Sequence, residues 1–157
     1  VSRKKGKGGR RPIVGTNPVA RAVSGAAPLT RDDQGYTVAA KIQARQAALA
    51  FAEGRGTPAD AARLASAFNV TALLIEAHAQ PDANTVKLLT AWREAVRNLY
   101  LRADGRGGIG ELAAVTDGLD LHDELLATVT LAEMTSVLSR LKQFALAGLL
   151  MEVPHVG

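Results

Sequence analysis

Five titratable side chains, Asp117, Asp120, His122, Asp123 and Glu124, fall within eight positions. Asp120 and Glu124 stand at i and i+4, so they share a helix face and offer paired oxygens to a hard cation. A metal-dependent hydrolase needs further ligands from elsewhere, and neither His78 nor His155 has ligand-type neighbours. No metal site is therefore expected. Asp117, Asp120, Asp123 and Glu124 are expected to form a solvated acidic face, able to dock a basic protein partner or a basic segment of the same chain.

Other chemistries fail on context. Gly105-Arg106-Gly107-Gly108-Ile109-Gly110 has the glycine density of a phosphate cradle. No strand leads into it and no Lys-Ser/Thr pair follows, so it is expected to be an interhelical loop. Ser24, Ser66, Ser136 and Ser139 have no adjacent base, and there is no cysteine to serve as a thiolate or zinc ligand. The expectation is a non-enzymatic protein without a cofactor.

Charge is the stronger lead. Residues 1–31 carry eight of the nineteen Lys and Arg and none of the fifteen Asp and Glu, so the rest of the chain is net −4 although the whole is +4. Arg3, Lys4, Lys5, Lys7, Arg10 and Arg11 lie in a glycine-rich stretch with almost no apolar residues, the composition of a disordered arm. Such an arm attracts phosphates by releasing counterions and reads no base. It has no aromatic residues for stacking, so contact with nucleic acid should be non-specific.

The elements that must carry these groups are helices. Thr57-Pro58-Ala59-Asp60 joins an N-cap, a proline at the first helical position and a capping-box carboxylate. Behind it Ala61, Leu64, Ala65, Phe68, Ala72, Ile75 and Ala79 keep helical spacing, and Leu73 and Leu74 widen the stripe to most of the circumference. Residues 57–79 are therefore expected to form the central, buried helix. A helix-turn-helix with Asn69 at the turn is the alternative, but its outward positions Ala72, Leu73, Glu76 and Ala77 cannot read base edges.

Around this centre, a first helix is expected from Gln34 to Glu53, with Val38, Ile42, Arg45/Gln46, Leu49 and Ala52 along one side and Gly54 ending it. The Gly54–Gly56 link makes the pair an antiparallel hairpin. A third helix is capped by Asp82 or Asn84 and runs to Arg102. A fourth spans Glu111 to Ala127. Thr130-x-x-Glu133 starts a fifth that ends near Gly148. A short turn of helix fits Asn17 to Gly25. No alternating strand pattern occurs.

The succession Asn17-Pro18-Val19, Ala67-Phe68-Asn69-Val70-Thr71, Glu111-Leu112 and Leu121-His122-Asp123 resembles a group of small, uncharacterised all-helical proteins of proteobacteria. It covers roughly residues 17–145. The resemblance implies no activity; it implies an accessory or regulatory role, with carriage on plasmids or prophages.

The expected protein is all-α: a bundle of about five helices built from helical hairpins (33–148), preceded by a basic arm and linker (1–32) and followed by a tail (149–157). Nucleic acid bound through Arg3, Lys4, Lys5, Lys7, Arg10 and Arg11 is the expected partner. A protein partner or a second copy, with no nucleic-acid role, is the alternative. The longest apolar run, Phe144 to Met151, is far short of the roughly 20 residues that cross a bilayer. With no leader-type segment visible at the start, a cytoplasmic location and no membrane partner are expected.

Overall fold

The structure, a computed structural model, describes residues 31–78, 81–102, 104–147 and 150–154. Five helices follow one another: α1 (Arg31–Ala52), α2 (Pro58–His78), α3 (Ala83–Leu101), α4 (Ile109–Thr128) and α5 (Leu131–Ala147), with no strand among the described residues. The basic arm, the turn expected at 17–25 and the end of the tail lie outside the described residues.

Local chemistry sets the helix ends. At Thr57 the capping box is complete: Asp60 N–H donates to Thr57 Oγ1 at 3.2 Å, and Thr57 N–H donates to Asp60 Oδ2 at 2.9 Å. Thr130 and Glu133 repeat it at 3.2 and 2.9 Å. Asp82 Oδ1 accepts Thr85 N–H at 2.7 Å and caps α3. Gly108 has no side chain with which to cap α4, so only half a box forms there, with Gly108 N–H donating to Glu111 Oε1. α1 stops in a Schellman motif: Arg55 N–H reaches Ala50 C=O, Gly54 N–H reaches Phe51 C=O, and Gly54 takes a φ of +77°.

α2 is the centre. It packs against each of the other four helices, and the nine residues Ala67 to Ile75 are all buried. It runs unbroken through Asn69, so the helix-turn-helix alternative does not form. Phe68 meets Trp92 of α3 edge to face, with ring centroids 5.4 Å apart at 82°. Gly118 of α4 also lies against that indole, where even a methyl group would stand 2.1 Å from the ring. The two interhelical loops lock together: Gly56 N–H bonds Gly105 C=O, and Gly107 N–H bonds Phe51 C=O. Gly105, at a φ of +70°, has no room for a Cβ beside the Gly56 carbonyl. The expected interhelical loop is thus a clamp between two hairpins.

One expected face is corrected. α1 does not bury Val38, Ile42 and Leu49, which are each about half exposed. It buries Ala44, Ala47, Ala50 and Phe51 instead. Alanines let α1 approach α2 and α4 closely, and that outweighs the larger side chains on the other face. On α3, Tyr100 is likewise exposed although its neighbour Leu99 is buried. The tail docks at residues 150–154, with Met151 buried and its carbonyl accepting Arg93 Nε at 2.7 Å. No helix is long and apolar enough to cross a membrane among the described residues.

Candidate functional site

Arg3, Lys4, Lys5, Lys7, Arg10 and Arg11 all fall outside the described residues. Asp117, Asp120, Asp123 and Glu124 lie on α4, within about a third of its circumference, because spacings of three, three and one keep them to one side. Arg45 of α1 holds two of them through one nitrogen, Nη2 standing 2.7 Å from Asp120 Oδ1 and 2.8 Å from Asp123 Oδ2. Burial opposes the guanidinium charge, but the two carboxylates outweigh it and raise the Arg45 pKa. Asp117 and Glu124 are exposed to solvent. Asp120 keeps 64% of its side chain exposed while paired with Arg45, so Asp117, Asp120 and Glu124 all face solvent and Asp123 is the half-buried member of the group.

His122 belongs to the interior rather than to the acidic surface. It follows Val115 and Leu119 and precedes Leu126 at spacings of four, three and four, the buried side of α4. Only 2% of the residue is exposed. Its Nδ1 stands 3.5 Å from Asp123 Oδ1, too far for a good hydrogen bond, and both atoms are buried without a partner. Burial is the main influence and pushes its pKa down, with help from Lys41 and Arg45, while Asp123 opposes. The ring is therefore neutral at pH 7, and its contact with Asp123 is not an ion pair. The sequence pattern carried this signal, since His122 interrupts an apolar stripe, but the neighbouring acids drew it into the wrong group.

His122 also lines a cavity of about 150 Å³ between α1, α2, α4 and α5. The cavity has buried walls of Ala44, Ala67, Val70, Leu126 and Met134, and an exposed mouth at Gln43, Arg63 and Ser66. Sequence reasoning missed it, since its lining comes from four helices. Among the described residues no group of three or more His, Asp or Glu side chains is placed to hold a metal ion. The arrangement suits binding: an apolar interior, a neutral imidazole and one cation at the rim.

Comparisons with protein-family models, curated proteins and solved structures find no match.

Proposed function

We propose that this is a non-enzymatic accessory or regulatory protein that contacts nucleic acid through Arg3, Lys4, Lys5, Lys7, Arg10 and Arg11. The observation that carries this reading is the segregation of charge: residues 1–31 have eight cations and no anion, ahead of a net-negative remainder. A net-negative helical body repels phosphate, so affinity must come from the cationic segment through counterion release. The test is a titration of duplex and single-stranded probes at two salt concentrations. It compares the full chain with a full-length variant in which those six residues are glutamine. Binding should fall steeply with salt, vary little between scrambled probes, and largely disappear in the variant. Equal binding by both proteins would remove these residues from the mechanism.

The exposure of Val38, Ile42 and Leu49 on one side of α1 favours a second reading, a helical protein-interaction module. Under that reading neither protein binds nucleic acid even at low salt, and Ile42→Asp abolishes association with the partner or with a second copy.

A further inference from the structure

The cavity beside His122 goes beyond the nucleic-acid reading and does not depend on it. It exists because α1 and α5 both pack on α2, with Ala44 and Ala67 on the facing helices too small to fill the space between them. Its volume of about 150 Å³ is the size of apolar cavity that accepts benzene. Val70, Leu126 and Met134 supply a buried apolar wall, and the flexible thioether of Met134 adapts to an occupant.

The polar groups are few and convergent, as in small-molecule sites. At the mouth stand Arg63, Ser66 and Gln43, all able to donate hydrogen bonds, and no carboxylate among the described residues lines the cavity. Arg63 spends Nη1 on Asp60 Oδ1 at 3.0 Å. Its guanidinium has further N–H donors and is half exposed, so it can take a second acceptor. Asp60 holds Arg63 at Nη1 and turns its other oxygen to Thr57, so an incoming anion must take the remaining guanidinium donors. Inside, the almost fully buried His122 adds a ring to the wall, while its Nδ1 stands 3.5 Å from Asp123 Oδ1, which is not part of the lining.

We propose that this cleft binds a small monocarboxylate with a compact apolar body of benzene size, the carboxylate at Arg63 and Ser66 and the body against Val70, Met134 and His122. A carboxylate rather than a neutral headgroup is selected because the rim presents donors and one cation.

The test is a two-dimensional NMR titration of the full chain with benzoate, with benzyl alcohol and benzylamine as neutral and cationic counterparts. Saturable shifts are expected at the Val70 amide, the Met134 methyl and the His122 imidazole, strongest for benzoate and absent for benzylamine. Arg63→Gln, on an exposed position, should weaken benzoate binding by about tenfold, as loss of a charge-assisted hydrogen bond implies. Ala67→Leu, which fills the cavity, should abolish it. Absence of saturable shifts, equal binding of benzylamine, or full affinity in Arg63→Gln each overturns the proposal. Full affinity in a folded Ala67→Leu overturns it too. Should that variant not fold, the location of the shifts and Arg63→Gln decide.

Discussion

The side-chain oxygen of Asn69, in the middle of α2, accepts the backbone N–H of Met151 at 2.9 Å across 82 positions of sequence. Both residues are buried, so the polar contact is made away from water, where an unmade hydrogen bond is costly. Arg93 takes the carbonyl of the same Met151. The central helix and α3 thus hold both backbone polar groups of one tail residue, which explains how a short segment of no regular structure stays in place.

Asn69→Ala should therefore lower stability by about 1–3 kcal/mol, by leaving the Met151 N–H buried and unsatisfied. Amide exchange at Met151 should accelerate more than exchange in α4. Uniform acceleration over the whole chain would show that the contact does not anchor the tail.

Phe68→Ala should cost about 3–5 kcal/mol, because the ring is fully buried against Trp92 and its loss leaves a cavity. Thr57→Ala removes the hydroxyl that accepts Asp60 N–H and donates to Asp60 Oδ2, both exposed bonds, and should cost about 1 kcal/mol. Urea unfolding of the two variants measures the difference, and equal small losses would contradict a central α2.

Gly118 and Gly110 share α4 and should respond oppositely to alanine. At Gly118 the added methyl runs into the Trp92 ring, and overpacking of this kind costs about 1–3 kcal/mol. At Gly110 no described residue comes within 4 Å of an added Cβ, so the gain in helix propensity is free to appear, up to about 1 kcal/mol. Thermal denaturation of both variants checks the pair, and a stabilising Gly118→Ala would show that α4 does not pack on the indole as described.

Stability should also fall with acid through His122. Burial sets its folded pKa below the ordinary 6.5. As pH drops through 6.5 the unfolded chain takes up a proton that the native ring still refuses, so the unfolded state gains. This contribution is fully present above about pH 6.5, is lost as pH falls, and levels off below the folded pKa. Urea midpoints at pH 7 and pH 5.5 should differ more for the native chain than for His122→Leu. Identical differences would mean the ring carries no such linkage.

Two kinds of information separate when these residues are compared. Thr57 with Asp60 and Thr130 with Glu133 act over three positions, so their bonds were legible from the residues alone. So was α2, whose apolar residues run round most of its circumference and are buried throughout Ala67 to Ile75. The α1 face was not legible: Val38, Ile42 and Leu49 keep helical spacing as well as Ala44, Ala47 and Phe51 do. Periodicity identifies a helix with an apolar stripe; it does not say which stripe a neighbour can approach.

The candidate site follows the same division. His122 could have been placed by its spacing with Val115, Leu119 and Leu126, since that pattern lies within one helix. Arg45 with Asp120 and Asp123, Asn69 with Met151, and the cavity between Arg63, Met134 and His122 join residues from separate elements of the chain. Their meeting depends on how closely the helices pack and on the loop clamp at Gly56 and Gly105. Short-range bonding and helical periodicity are properties of a local stretch of chain and are written in it. Contacts between helices arise only once the fold has set the distances between their axes.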